Sequence, residues 1–174
     1  MSIIEGKAEN YSKIIWLLIV LFVLNCSVIT LFNIDRTEGF FIEVFGASEK
    51  FIIELFFWGA LGATISSSLF LAQDKEINEI ESLKSPPDPN ILRYPDIFDV
   101  WMYGQRVATS GVLAIVSAVV LLAGLGYFEV EINTVTTKQK MLFVITSFLV
   151  GMYQGKFVDF LNSLSKRLLS GRKE

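Results

Sequence analysis

A stretch of nineteen residues without a charged side chain, residues 14–32, constrains the fold of this chain more than any other feature. An α-helix rises about 1.5 Å per residue, so the stretch spans roughly 28 Å, close to the hydrocarbon thickness of a bilayer. It predicts a membrane-spanning helix, with Trp16 near its start as an interfacial ring. A cleaved signal peptide is the rival interpretation, but the stretch is too long, its leader mixes acidic and basic residues, and no A-x-A site follows.

Three further apolar segments predict three more spans. Residues 51–72 are interrupted only by Glu54, and residues 107–128 carry no charge. Residues 141–160 cross as one helix if the Lys156 side chain extends to the head groups; a re-entrant or surface-lying helix is the alternative. At 52% hydrophobic and 19% charged, the whole chain is more apolar than a soluble domain. We therefore predict an all-α fold with a single transmembrane domain, residues 1–174.

The basic residues are distributed unevenly about these four segments. Eleven of the fifteen lysines and arginines lie in the N-terminal segment, the loop of residues 73–106 and the C-terminal segment, against four on the other side. Lysine and arginine collect on the cytoplasmic side of membrane proteins. We therefore expect both termini in the cytoplasm, which requires an even number of crossings. The predicted fold class is an integral membrane bundle of four transmembrane helices, N-in and C-in, multi-pass in the cell inner membrane.

Small residues recur at steps of three and four positions in the second, third and fourth predicted spans. Helices in lipid associate by close backbone approach, so such stripes indicate packing faces. Packing inside one chain explains any single stripe, while three stripes in so small a protein favour a homo-oligomer; the sequence leaves the partner helix open. The candidates for packing or oligomer contacts are Gly59, Gly62, Ala63 and Ser66, then Ser110, Ala114 and Ala118, and finally Ser147, Gly151 and Gly155.

Charged side chains inside a membrane are costly and are usually functional. Two are candidates here, Glu54 and Lys156. Glu54 follows Lys50 by one helical turn, and Lys156 precedes Asp159 by about one turn. Ion pairs at the two membrane interfaces would explain both without a transport role.

The residues that most enzymes need are scarce in this chain. It has no histidine and a single cysteine, Cys26, and it shows no G-x-S-x-G, phosphate-loop or metal-ligand spacing. We therefore predict no catalytic residue, no cofactor-binding site, no metal site and no bound cofactor. The net charge of -3 supplies no general basic field, so the lipid bilayer is an expected partner and nucleic acid is not.

The loop of residues 73–106 is the largest predicted extramembrane piece, and a cytoplasmic protein partner is expected to bind there. Ile77 and Ile80 recur at helical spacing among acidic residues, so the second helix continues beyond the membrane until the prolines that follow. Around Trp101, a short apolar face predicts an interfacial helix. The first loop, residues 33–50, is predicted to dip into the outer interface, and the basic C-terminal tail to lie on anionic lipid.

An arginine, a series of small residues and an amphipathic tail follow one another in the C-terminal half, namely Arg106, Gly111, Ala114, Gly124, Gly126, Gly151 and Gly155. This half resembles small uncharacterised prokaryotic membrane proteins. In size and layout, rather than in any motif, the whole chain is similar to the four-helix membrane subunits of anti-phage systems such as Kiwa and to retron-linked membrane effectors. The resemblance implies a membrane component that senses infection or permeabilises the bilayer when a soluble partner signals.

Our leading functional hypothesis is a non-enzymatic inner-membrane component that oligomerises and responds to a soluble partner, as a sensor or membrane-permeabilising effector in anti-phage defence. The alternative is a small channel or transporter. It predicts a flux in liposomes without any added partner, and loss of that flux when Gly59 or Ser66 is replaced by a bulky residue. A membrane enzyme is disfavoured by the missing histidine.

Overall fold

Five α-helices make up the computed structural model, which describes residues 2–38, 40–84, 97–124 and 137–170. All four prolines of the chain lie between the second and third helices, so no helix is interrupted by one. The last residues of the predicted third span, 125–128, lie outside the described residues. The helices are α1 (Ser2–Glu38), α2 (Phe40–Ser82), α3 (Ile97–Gly124), α4 (Thr137–Met152) and α5 (Gln154–Ser170).

The first two helices are both longer than a bilayer is thick. They hold 37 and 43 residues, or roughly 55 and 65 Å at 1.5 Å per residue. The prediction of a loop at residues 33–50 is therefore wrong, since α1 continues to Glu38 and α2 begins at Phe40. That segment holds no proline, and Gly46 alone does not end a helix.

The predicted extramembrane segment of residues 73–106 is helical at both ends. α2 continues to Ser82, as the spacing of Ile77 and Ile80 predicts. α3 begins at Ile97 and contains Trp101, so the predicted interfacial helix is the first part of α3 rather than a separate element. The loop itself falls mainly on residues 85–96, which lie outside the described part of the chain.

α4 runs parallel to α2, the central helix that contacts α1, α3 and α4. The rings of Phe51 in α2 and Phe143 in α4 meet edge to face, with their centroids 6.0 Å apart. Eight residues further along both helices, Gly59 meets Gly151. Because both contacts advance in the same direction, the two helices point the same way.

α1 and α3 run in the opposite direction to α2. Along each of them, later residues meet earlier residues of α2, which is the arrangement of antiparallel neighbours. The order of directions is therefore up, down, up and down for α1 to α4. The contacts that establish it are Phe32 with Phe57 and Leu18 with Leu71 for α1, and Ala118 with Leu55 and Val107 with Ala63 for α3.

The predicted fourth span, residues 141–160, is not one continuous helix. α4 ends at Met152, α5 begins at Gln154, and the two axes differ by 99°. The bend falls where an apolar sequence gives way to an amphipathic one, between Gly151 and Gly155. α4 alone holds 16 residues, or about 24 Å, so it is shorter than the other candidate spans.

Three helical segments are long and apolar enough to cross a membrane: Glu9–Ile34, Lys50–Ser82 and Phe98–Leu121. A fourth is reached if the bent pair Lys138–Met152 and Gln154–Ser163 counts as one span. Large apolar side chains also cover the outside of α1, and lipid accommodates such a surface where water does not. The described chain is all-helical and consistent with a multi-pass membrane protein.

Candidate functional site

α2, α3 and α4 approach one another closely at four glycines. We call Gly59, Gly62, Gly111 and Gly151 the glycine seam. A Cβ atom on Gly62 would overlap the carbonyl oxygen of Phe148, and a Cβ atom on Gly151 would overlap the carbonyl oxygen of Gly59. Only glycine permits so close an approach, because any other residue places a carbon atom where the neighbouring helix already lies.

The same seam also joins α2 to α3. A Cβ atom on Gly59 would overlap the Cβ atom of Ala114 and lie 2.8 Å from the carbonyl oxygen of Ser110. In the other direction, Gly111 of α3 receives the aromatic ring of Phe56. Gly59 therefore packs against α3 and α4 at once, and it marks the point where three helices come closest.

The ten predicted packing residues are not placed equally. Ser66 is half-buried, and Gly155 is exposed, with no neighbour in the described chain within 4 Å of the position that its Cβ would take. The structure brings the others together inside one chain, on α2, α3 and α4. The eight buried residues are Gly59, Gly62, Ala63, Ser110, Ala114, Ala118, Ser147 and Gly151.

Several hydroxyl groups are buried in α2 and α4. The Ser67 and Ser147 Oγ atoms have no hydrogen-bond partner in the described part of the chain. Thr64 donates to the Ala60 carbonyl of its own helix at 2.8 Å. The buried hydroxyls of α2 and α4 therefore include one with a hydrogen-bond partner and two without, and a buried unsatisfied hydroxyl is unfavourable.

One hydrogen bond ties α3 to the bend between α4 and α5. Ser110 Oγ donates to Gln154 Oε1 at 2.9 Å. Sequence reasoning missed Gln154, because the two residues are 44 positions apart and no local pattern links them. The bond holds the first residue of α5 against the end of the seam.

The two predicted intramembrane charges have different surroundings. Glu54 and the neighbouring Lys50 are both buried against other helices of the bundle, 4% and 6% exposed. Trp58 Nε1 lies 3.4 Å from Glu54 Oε1 and donates to it, and Lys50 Nζ lies 5.9 Å from the centre of the Phe32 ring. Lys156, by contrast, is exposed on α5.

Residues 74–82 of α2, which we call the α2 extension, continue beside α1. Asn78 is 7% exposed, and its Nδ2 atom donates to Tyr11 Oη at 2.8 Å. Glu81 is 4% exposed and accepts from Lys84 Nζ at 2.6 Å. The contact between α1 and the extension has no local signal in the sequence, because Tyr11 and Asn78 lie 67 positions apart.

The Tyr11 hydroxyl gives a first testable prediction. We expect Tyr11→Phe to lower the free energy of unfolding by about 1–2 kcal/mol, because the Asn78 amide then loses an acceptor in a buried position. Thermal unfolding in detergent measures the change. Tyr153→Phe is the control, since Tyr153 is 53% exposed, and it should change the stability by less than about 0.5 kcal/mol. Equal effects of the two substitutions would contradict the prediction.

The described residues contain no group of three or more His, Cys, Asp or Glu side chains that could hold a metal ion. The described residues do define the class of protein. It is an all-helical chain with three or four segments that could cross a membrane, and these segments are joined by close backbone contacts at small residues. A comparison of the chain with protein-family models, with curated proteins and with solved structures finds no match.

Proposed function

We propose that this chain is a non-enzymatic inner-membrane protein that responds through the α2 extension to a soluble cytoplasmic partner, in anti-phage defence. The observation that carries the proposal is an exposed apolar face on and just after this extension. Ile77, Ile80 and Leu83 are 42%, 55% and 86% exposed. Apolar side chains that face water in one group favour a protein partner that covers them.

Acidic residues support a position of this face outside the hydrocarbon. Asp74, Glu76, Glu79 and Glu81 alternate with the apolar residues, and carboxylates are costly inside a bilayer. The exposed carboxylates among them, those of Glu76 and Glu79, specify the chemistry of the partner. It should present apolar side chains surrounded by lysine or arginine, because complementary charge increases the rate and specificity of association.

The proposal includes the four-span topology with both termini in the cytoplasm. Two features support it: α4 points the same way as α2, and α5 turns by 99° at the end of α4. In this arrangement α4 completes a short crossing and α5 lies on the membrane surface. The amphipathic sequence of α5, with Phe157 and Leu161 on one side and Lys166 among its charges, suits that position.

Self-association is also part of the proposal, and we assign it to α1. The seam on α2, α3 and α4 is already filled within one chain. Only 22% of the α1 span is buried, against 50% of the α2 span. The α1 span is therefore the least buried of the three long spans, since 33% of the α3 span is buried, and its outside is the surface we assign to a second copy.

The function is tested by expressing the gene with its native neighbours in a prokaryotic host and counting phage plaques. We expect the wild-type protein to lower the plaque count and Ile80→Asp to abolish this protection, because a carboxylate in the apolar face opposes partner binding. Ser82→Asp is the matched control, since it adds the same carboxylate at an exposed position of the same extension, and it should still protect. Equal protection by Ile80→Asp at equal membrane abundance would overturn the role of the extension. No protection by the wild-type protein would overturn the defence proposal.

A small channel is the second candidate, and one observation favours it. The buried hydroxyls of Ser67 and Ser147 have no hydrogen-bond partner in the described residues, and unpaired hydroxyls between helices can line a polar path. A channel predicts that the purified protein alone releases a trapped dye or ion from liposomes. Flux without a partner, lost in Gly59→Leu or Ser66→Leu, would replace our proposal with this one.

A further inference from the structure

A cavity of about 500 Å³ lies between α2, the first half of α3 and the start of α5. Its wall combines two apolar side chains with charged and amide groups. Phe70 and Met102 are 49% and 48% exposed, and they stand beside Asp99, Arg106 and Gln154. A cavity with both kinds of lining fits a molecule that is itself part polar and part apolar.

Two side chains in the wall have hydrogen-bond donors that are not used within the described chain. Within residues 2–38, 40–84, 97–124 and 137–170, the Arg106 guanidinium has no hydrogen-bonded or ion-paired partner. Gln154 Oε1 accepts from Ser110, which leaves the two N–H groups of the amide for another acceptor. A guanidinium and an amide beside each other form a good site for a phosphate group.

The position of the cavity along α3 matches the depth of lipid head groups. Phe98 and Trp101, in the first turns of the same helix, are 62% and 70% exposed. Exposed aromatic rings at the end of a membrane-spanning helix are typical of the interface between hydrocarbon and water. With α3 crossing the membrane from this end, Arg106 is within reach of the lipid phosphates.

Asp99 selects among the lipids that could fill the cavity. A carboxylate next to a phosphate site repels a purely anionic head group, but it attracts a head group that also carries an ammonium. Asp99 already interacts within the chain, and a carboxylate can accept several hydrogen bonds at once. The opposite charges of Asp99 and Arg106, both in the wall of the cavity, thus complement a zwitterionic head group.

We propose that this cavity binds one molecule of phosphatidylethanolamine. The lipid phosphate accepts from Arg106 and Gln154, its ammonium donates to Asp99, and the upper part of an acyl chain lies along Phe70 and Met102. This inference requires only that the chain spans a membrane, and it is independent of the partner and of the defence role.

The test is native mass spectrometry of the full-length chain, purified in detergent and titrated with dioleoyl phosphatidylethanolamine, dioleoyl phosphatidylglycerol or inorganic phosphate. We expect one phosphatidylethanolamine per chain, bound more tightly than phosphatidylglycerol, and no binding of inorganic phosphate at the same concentration. Arg106→Gln should weaken phosphatidylethanolamine binding about tenfold, the loss typical of a charge-assisted hydrogen bond. Asp99→Asn should remove the preference for phosphatidylethanolamine over phosphatidylglycerol.

Lys75→Gln is the matched control, because it removes an exposed basic side chain of α2 that does not line this cavity. It should bind phosphatidylethanolamine like the wild type. The proposal is overturned if Arg106→Gln binds phosphatidylethanolamine as tightly as the wild type does, or if Lys75→Gln loses as much affinity as Arg106→Gln. Equal binding of the two lipids to the wild type would overturn it as well. Binding of inorganic phosphate at the concentrations used for the lipids would also overturn it, because the site would then take free phosphate rather than a lipid head group. Should Arg106→Gln fail to fold, Asp99→Asn decides, since an unchanged lipid preference overturns the proposal.

Discussion

Replacing Gly151 with leucine is expected to prevent stable folding of the chain, with a loss of about 3 kcal/mol or more in the free energy of unfolding. The first carbon of the new side chain would overlap the carbonyl oxygen of Gly59, which is backbone and cannot rotate away. α2 and α4 must then separate, and the contact between the Phe51 and Phe143 rings is lost. Thermal unfolding and size-exclusion chromatography in detergent measure the loss.

Gly155→Leu is the matched control for this prediction. Gly155 lies four residues later, and a Cβ atom there would meet no neighbour of the described chain within 4 Å. We expect wild-type stability or a gain of up to about 1 kcal/mol, because glycine is a poor helix former. A comparable loss in both variants would show that glycine is needed for the bend itself rather than for contact between α2 and α4.

The second large effect concerns the side of the membrane on which each end of α4 lies. In a Cys26→Ser background, we expect a cysteine at Lys138 to react with a membrane-impermeant maleimide added to intact cells. A cysteine at Ser165 should react only after permeabilisation. Both positions are exposed, so access to the reagent depends on the membrane. The physical reason is that α4 points the same way as α2 and places the two positions on opposite sides.

A third cysteine, at Ser82, serves as the reference for the cytoplasmic side, since it is exposed at the end of α2. It should behave like the cysteine at Ser165. If the cysteines at Lys138 and Ser165 are labelled equally in intact cells, the bent pair is a re-entrant loop and the four-span topology is wrong. If those at Ser82 and Ser165 differ, α5 does not lie on the same side of the membrane as the end of α2.

The positions of the helices followed from the sequence better than their ends did. Length and lack of charge were enough to locate the apolar parts of α1, α2 and α3, because hydrocarbon excludes charged groups over a fixed thickness. The same pattern does not say where a helix stops in water. Residues 33–50 carry charges and glycines, yet they are helical up to Glu38 and again from Phe40.

The glycine seam shows how much of the candidate site the sequence can predict. Small residues at three- and four-residue steps predict that some helix approaches closely, and this much can be read from Gly59, Gly62 and Gly151. Which helix approaches depends on chain direction and on contacts between distant residues. The spacing in α2 is compatible with α3, α4 or a second copy, and the three-dimensional packing places α3 and α4 there.

The uncharged stretch at residues 14–32 determined, by itself, a helix long and apolar enough to cross a membrane, because helix rise and side-chain composition fix both properties within one segment. Tertiary structure decided the rest: that α4 runs with α2, that the chain turns by 99° before Gln154, and that Glu54 is enclosed by the bundle. The physical reason is how far apart in the sequence the determining residues lie. Transfer into lipid depends on the composition of one segment, whereas a bend or a buried charge depends on neighbours from distant parts of the sequence.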